Sequence, residues 1–430
     1  MNQRGKSYLT GLDWMIHAMS GSARRSGGKR ISSQIVLELD GLLDEQRFKD
    51  AVERFASGFP MLNGRASRNW MLEPYWKNPP KSKSVGIRVE VHRPAKEEIF
   101  QTLETCVNTP FGHACEYVVF HLLYPSDRSC LLAMAFDHRL LDARGAEQFM
   151  LLFCKYQSGA IVLDEIDCIP NVQRASLVAQ WKKGLGGSGC IMRTVHKNVI
   201  GSNMIRLGGE SELVGKKGGF IHLHLNLEDS QALRDRASKE AGYLMFMPYA
   251  LATACSAFGA LASRRNKIGS FIIPCTADLR DRDRSWKQTF FNYCSLFFFK
   301  VDSGIANDRA KLIFSLKEQF FKQTKEGFPQ HLADFLSLMR YVPIRVFEWM
   351  NSKNHASFSF ASVGESLLEH QMVFNLKINN LYHFPLIPPH VGVGFFFTQF
   401  SGRINMGVSF REGVLSDEEI EIVREALLEF

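Results

Sequence analysis

Residues 134–149, MAFDHRLLDARGAEQF, decide how the rest of the chain is interpreted. The apolar run from Cys130 to Phe136 predicts a buried strand, because strands covered on both faces carry few polar residues. His138 follows this run directly, and a helical pattern begins near Ala143. A histidine at the end of a buried strand can be held neutral and directed at a substrate. The alternative is an ordinary polar turn after a strand.

Composition limits the class of protein. The chain has 430 residues, 45% hydrophobic and 22% charged, which is typical of a globular protein long enough for two domains. Its net charge of +8 favours acidic partners. No zinc-finger, RRM or basic-helix signature is present, so we expect no nucleic acid partner. The nine scattered cysteines form no CxxC pair and the N-terminus has no signal-peptide pattern, so we expect a reducing, cytoplasmic location.

Alternating and helical patterns extend on both sides of the opening stretch. Residues 33–41 alternate like a half-buried strand, and the helix after them can be capped by Asp44. The apolar runs 117–124 and 130–138 are separated by a short polar turn, which predicts a hairpin-like pair of strands. The predicted hairpin ends at the histidine.

Three segments follow from the distribution of these patterns. We assign residues 1–160 to an N-terminal half, 161–217 to a Gly-, Lys- and Ser-rich crossover linker, and 218–430 to a C-terminal half. The second half restarts with a strand and a helix, for which Asp229 or Ser230 is the expected cap.

One uncharged segment, residues 243–263, reaches transmembrane length. It is rich in Ala, Ser, Thr, Cys and Gly, and Pro248 lies inside it. We therefore predict a buried core helix and, at most, peripheral contact of the protein with a membrane.

The stretch DHRLLDARG at 137–145 resembles the HxxxD signature of the chloramphenicol acetyltransferase-like superfamily, which includes condensation domains and alcohol acyltransferases. Other segments resemble further elements of the family, in the family's order. They are LTGLDWMIH (9–17), the strand–helix–turn segment 38–66, VNTPFG (107–112), the DLR-containing segment 274–298 and the C-terminal segment 392–423.

The resemblance implies a fold and an activity. The fold is α/β, with two mixed-sheet sandwich halves forming a V-shaped pseudo-dimer. The activity is transfer of an acyl group from a thioester donor to an alcohol or amine acceptor. The donor is acyl-coenzyme A or the acyl-phosphopantetheine of an acidic carrier protein, and no cofactor is bound permanently.

The resemblance also implies roles for single residues. His138 falls on the catalytic histidine and is expected to act as general base. Asp142 falls on the aspartate of the motif, which supports the loop through a salt bridge, and Arg280 in DLR is its expected partner. Asn292 and Ser295 are candidates for orienting the loop or stabilising an oxyanion.

Two departures from the family pattern bear on activity. Asp137 replaces the first motif histidine, and its charge could raise the pKa of His138 if the carboxylate points inward. Ala143 stands where glycine is common, so the backbone there must not need a positive φ. Gly145 is the other motif neighbour. Asn292 is preceded by Phe, where the family often has Gly.

Two other functions remain open from the sequence. A catalytically inactive relative could bind a carrier protein or an acyl ligand, and a lipid-handling protein could act at a membrane surface without chemistry. His222 and His224 share one strand face, but no third ligand is suggested, so we expect no metal. The basic loop 22–30 could bind phosphates, although a solvated loop is the simpler interpretation.

Overall fold

The computed structural model describes residues 6–25, 31–78, 87–109, 111–168, 177–198, 202–208, 216–281, 286–351, 356–385 and 391–429. The helices within these ranges are α1 (Gly11–Arg25), α2 (Glu45–Ser57), α3 (Ile99–Asn108), α4 (Ala143–Gln157), α5 (Leu177–Asn198), α6 (Leu227–Glu240), α7 (Phe246–Arg264), α8 (Arg309–Lys325), α9 (Phe328–Met339), α10 (Ile344–Asn351) and α11 (Asp417–Leu428).

The strands follow the same chain order. They are β1 (Lys6–Tyr8), β2 (Ser32–Leu39), β3 (Arg65–Arg68), β4 (Pro74–Lys77), β5 (Arg88–His92), β6 (Val118–Ser126), β7 (Ser129–Asp137), β8 (Gly218–His224), β9 (Ser270–Asp278), β10 (Cys294–Asp302), β11 (Ser359–Glu365), β12 (Met372–Val373), β13 (Leu376–Phe384), β14 (Val393–Phe400) and β15 (Arg403–Arg411).

Two six-stranded mixed sheets define two lobes. The N-terminal sheet has the order β12-β13-β2-β7-β6-β5, and the C-terminal sheet has the order β10-β9-β11-β14-β15-β8. A small antiparallel sheet of order β1-β4-β3 accompanies them. The predicted fold class, an α/β protein of two mixed-sheet halves, is confirmed.

Strand β7 lies inside the N-terminal sheet, and its sequence explains why. Its alternate side chains face two different cores: Leu132 and Phe136 pack with the aromatic residues of α2 and α4, whereas Leu131 and Ala133 pack with α3. A strand buried on both faces needs an unbroken apolar run, which is what residues 130–136 supply. Each fully buried Leu or Phe contributes about 1.5–3 kcal/mol relative to an exposed one.

Helix α7 forms the core of the C-terminal lobe. By length and composition it could cross a membrane, but 72% of its most apolar window is buried inside the protein. Its small residues allow close packing against the sheet, where Phe258 contacts the rings of Phe271 and Phe358. The packing agrees with a core helix.

Three features of the structure differ from the sequence interpretation or were not foreseen. Strand β13, from late in the chain, pairs antiparallel with β2 and so completes the N-terminal sheet. Helix α5 occupies much of the Gly-rich crossover. The cap of α6 is Asn226, whose side chain accepts a hydrogen bond from the backbone N–H of Asp229, so the expected caps Asp229 and Ser230 were wrong by one turn. The division at residues 160 and 217 stays a prediction.

All nine cysteines are free thiols. Six are buried and three are half-buried, which is how small apolar core residues behave. The expected cytoplasmic location stays a prediction.

Candidate active site

His138 lies directly after β7, where the central strand leaves the N-terminal sheet. Its backbone N–H donates to the carbonyl of Ile31, 2.9 Å away, which extends the pairing with β2 by one residue. The side chain is half-buried. A rigid strand therefore fixes the backbone of His138 while its imidazole remains reachable.

Asn292 sets the tautomer of this imidazole. The Nδ1 of His138 lies 2.9 Å from the Oδ1 of Asn292. The amide nitrogen of Asn292 faces two acceptors, the carbonyl of His138 at 3.1 Å and a carboxylate oxygen of Asp13 at 3.3 Å. Because the amide NH₂ is directed at these acceptors, its oxygen faces the ring and Nδ1 must be the donor. The Nε2 of the neutral ring then carries a lone pair.

Asp13 on α1 holds Asn292 in turn. One carboxylate oxygen accepts from the backbone N–H of Asn292 at 2.7 Å. The other accepts from both the N–H and the hydroxyl of Thr10, each at 2.7 Å. Burial raises the pKa of Asp13, although the hydrogen bonds from Asn292 and Thr10 act in the opposite direction. Asp13, Asn292 and His138 thus form a carboxylate–amide–imidazole chain.

Asp137, the residue before His138, is paired with a neighbouring cation. Its carboxylate forms a two-pronged ion pair with Arg139, with Nε at 2.9 Å from Oδ1 and a terminal nitrogen at 2.5 Å from Oδ2. Both side chains are buried, and the guanidinium also lies over the ring of Tyr117. The negative charge next to His138 in sequence is therefore compensated locally.

Asp142 joins the two lobes behind His138. Its carboxylate accepts two hydrogen bonds from Arg280, at 2.6 and 3.0 Å, and both side chains are buried. It also caps α4 through Gly145 N–H at 2.7 Å and accepts from Tyr293 N–H at 2.9 Å. Burial alone would raise the pKa of Asp142, but the charge of Arg280 and these hydrogen bonds hold it below its usual range.

The motif region is tightly packed around this pair. A Cβ added to Gly145 would lie 2.4 Å from the carbonyl oxygen of Thr289, so the close approach of the two loops requires glycine. Ala143 is the first residue of α4 and needs no positive φ. Phe291, directly before Asn292, has φ 75°, a left-handed conformation that costs a residue with a side chain about 1–3 kcal/mol.

Ser295 lies on β10 but does not join this group. Its buried hydroxyl donates to the carbonyl of Pro329 at 2.7 Å. The NH₂ of Asn292 is also directed at acceptors. In this arrangement neither Ser295 nor Asn292 has a side-chain hydrogen left to donate to an oxyanion. Asn292 instead orients the imidazole.

Sequence reasoning missed two groups on α1. Asp13 lies in the quoted segment 9–17, so the aspartate of that segment was the available signal. His17, one helical turn further, stacks near Trp14 and meets Trp76 edge-on. Burial, followed by the charge of Arg139, lowers the pKa of His17 to about 3, so its ring is neutral.

A separate cleft of about 300 Å³ lies between α5, β10 and α8. Its charged lining residues are Arg193, Lys300, Asp302, Lys322 and Glu326. It contains none of the predicted site residues. The basic segment 22–30 ends α1 with Arg24 and Arg25, and its residues 26–30 lie outside the described ranges.

Several solved protein structures share the two-lobed architecture of this chain. The first condensation domain of the CDA synthetase superposes with a TM-score of 0.70 at 11% identity, covering 100% of this chain and 96% of that one. The chain has the chloramphenicol acetyltransferase-like fold. No family model matches the sequence, and no curated protein matches it.

Two further solved structures share this fold. TRI3 trichothecene 15-O-acetyltransferase from Fusarium sporotrichioides has a TM-score of 0.66 at 12% identity, covering 99% of this chain and 94% of that one. The condensation domain of the Monacolin K polyketide synthase MokA has a TM-score of 0.65 at 12% identity, covering 99% and 96%. At these identities the likeness concerns the fold alone.

Proposed function

We propose that the protein is an acyltransferase that moves an acyl group from a thioester to an alcohol or amine, with His138 as general base. The single observation that supports this most is the Asn292 contact, which leaves the Nε2 of His138 as a proton acceptor. A positioned base of this kind contributes about 10²–10⁴-fold to a reaction rate.

The reaction balances without a covalent enzyme intermediate. Nε2 of His138 takes the proton of the acceptor O–H or N–H as that atom attacks the thioester carbonyl. The tetrahedral intermediate collapses, the C–S bond breaks, and the leaving thiolate takes the proton back from the imidazolium. Holding donor and acceptor in line supplies further acceleration.

Cys294, which follows the Asp142-bound residue Tyr293, is a poor alternative nucleophile. Burial, followed by the charge of Asp142, raises the pKa of Cys294 to about 12, which disfavours the reactive thiolate. This supports direct transfer between the two substrates over a thioester bond to the enzyme.

The proposed acyl donor is either acyl-coenzyme A or the acyl-phosphopantetheine of a carrier protein. Acyl-coenzyme A and acyl-phosphopantetheine share the thioester and the phosphate-bearing arm, and the net charge of +8 suits either an acidic cofactor or an acidic carrier protein. The solved condensation domains and the acetyltransferase of the same fold are consistent with acyl transfer.

The test measures release of free thiol. The untagged chain is incubated with short- and long-chain acyl-coenzyme A and acyl-loaded carrier protein, each with a panel of small alcohols and amines. We expect His138→Ala to lower turnover by about 10²–10⁴-fold, while the exposed His224→Ala, a matched control, keeps it.

Two outcomes would go against the proposal. Equal turnover in His138→Ala and the unaltered chain would exclude this histidine as the base. Saturable binding of acyl donor or carrier protein with no thiol release would favour the inactive, binding relative instead.

A further inference from the structure

A second group of chemically reactive side chains lies at the outer edge of the N-terminal sheet. Glu90 and His92 belong to edge strand β5, His121 to β6 and Cys106 to α3. Glu90 is the direct partner of His121 in the parallel ladder, and His92 is two residues further along the same strand face. Helix α3 covers this face and brings Cys106 to it.

The ligand atoms of these side chains converge. The Nε2 of His92 lies 3.1 Å from the Nδ1 of His121 and 3.7 Å from the sulfur of Cys106. One donor atom from each of the three residues lies within 4.8 Å of the other two. Around tetrahedral Zn²⁺, bond lengths of about 2.0–2.1 Å to nitrogen and about 2.3 Å to sulfur place N···N at about 3.3 Å and N···S at about 3.6 Å. The observed separations are close to these values.

Glu90 supplies a fourth donor. Its Oε2 lies 3.2 Å from Nδ1 of His121 and 3.8 Å from Nε2 of His92. Its other oxygen, Oε1, accepts from Arg88, which also pairs with Glu116 at 3.1 Å. An outer hydrogen bond of this kind orients a ligating carboxylate.

The burial and the charge of these four side chains also suit a Zn²⁺ ion. Cys106 and His121 are buried, whereas the side chains of His92 and Glu90 are 28% and 29% exposed, so the cluster is open at its outer side. One thiolate and one carboxylate balance the two positive charges of the ion. Imidazole and thiolate donors together favour zinc over magnesium or calcium.

We propose that Glu90, His92, Cys106 and His121 form a binding site for a divalent transition-metal ion, with Zn²⁺ as the ion of best fit. The site holds edge strand β5 to β6 and to α3. This departs from the expectation that the chain binds no metal, and it does not depend on the proposed acyl transfer.

The test begins with the unaltered, untagged chain stripped of metal and titrated with Zn²⁺ or Co²⁺. We expect one ion per chain, release of a proton from the Cys106 thiol, and the visible absorption of tetrahedral Co²⁺ with a thiolate-to-cobalt band. Zinc should displace the cobalt signal and raise the midpoint of thermal unfolding.

Variants identify the ligands. Cys106→Ser should lose the thiolate-to-cobalt band. His92→Ala, at a half-exposed position that tolerates truncation, should weaken zinc binding more than about 100-fold, because loss of an outer partner alone costs about 10–100-fold. The controls are Cys130→Ser, a buried thiol in the same lobe, and His224→Ala, and both should bind zinc as the unaltered chain does.

The site would be refuted if the unaltered chain takes up no zinc or cobalt under these conditions, leaving the cluster a plain hydrogen-bond network. Equal affinity in His92→Ala and the unaltered chain, or a cobalt spectrum without the thiolate band, would refute it as well. The cobalt spectrum needs no variant, so a poorly folding Cys106→Ser does not weaken the test.

Discussion

Two buried carboxylates, Asp13 and Asp142, accept backbone hydrogen bonds from the residues just before β10, Asn292 and Tyr293 respectively. Their other partners differ. Asp142 binds the guanidinium of Arg280 and accepts two backbone hydrogen bonds. Asp13 has only neutral donors, from Thr10 and Asn292. The difference appears in their pKa values, since that of Asp142 is lowered and that of Asp13 is raised.

The comparison separates two tasks. Asp142 forms an ion pair with Arg280 of the opposite lobe, so it determines whether the loops of the two lobes stay together. Asp13 acts through Asn292 on the ring of His138, so it determines which ring nitrogen carries the proton. Stability should depend mainly on the first carboxylate, and the rate of the proposed acyl transfer should depend on the second.

The largest expected effect comes from Arg280→Leu. It leaves the buried carboxylate of Asp142 without its cation, which costs about 3–5 kcal/mol of unfolding free energy. Denaturant unfolding measures the loss, and Arg128→Leu, at an exposed hairpin position, is the control. A loss equal to that of the control would mean that the ion pair does not hold the lobes together.

Asp13→Asn should affect rate more than fold. We expect the proposed acyl transfer to fall about 10- to 100-fold, less than the 10²–10⁴-fold of the base itself, because an amide at position 13 keeps only one acceptor oxygen for the donors of Thr10 and Asn292. Asp44→Asn is the control, since Asp44 caps α2 and has no contact with the imidazole. Nitrogen NMR of His138 gives a second readout: the Nδ1–H tautomer should dominate in the unaltered chain and lose its dominance in Asp13→Asn.

Gly145→Ala tests how closely the two loops meet. Its Cβ would collide with the carbonyl of Thr289, so we expect a loss of about 1–3 kcal/mol from overpacking. Gly186→Ala in α5 has open space around it and should instead gain about 0.5–1 kcal/mol. Equal unfolding midpoints for the two variants would contradict the contact.

The smallest effect is a difference in pH dependence. The contribution of Asp142 to stability is present above the ordinary carboxyl pKa of about 3.9 and is lost as the pH falls through its lowered value. The contribution of Asp13 is present below that ordinary pKa and is lost as the pH rises through its raised value. Unfolding free energies of Asp142→Asn and Asp13→Asn, each relative to the unaltered chain between about pH 3 and pH 7, should therefore change with opposite sign.

Local pattern was enough to place β7, His138 and the start of α4. Each depends on neighbours in sequence: an unbroken apolar run, a polar residue after it, and Asp142 as a cap three residues before Gly145. The contact between Arg280 and Asp142 came from the family resemblance, since nothing local relates residues 138 positions apart.

The rest depends on tertiary contacts that no local pattern encodes. Asn292 orients His138 from 154 residues away, and its hydrogen bonding decides between an oxyanion role and a positioning role. The left-handed φ of Phe291 is held by its surroundings, against its own preference. The ligand atoms of the proposed metal site come from three elements, so their sequence spacing resembles no metal motif.

The late strand β13 has a consequence for how this chain is made. Strand β2 pairs with β7 on one side, but its other neighbour ends at Phe384, far along the chain. During translation, the edge of β2 that pairs with β13 stays open until residues 376–384 have been synthesised. His138 thus follows a strand of a sheet that stays incomplete while β8–β11 of the other lobe are made, and an open strand edge of this kind can pair with other chains until β13 covers it.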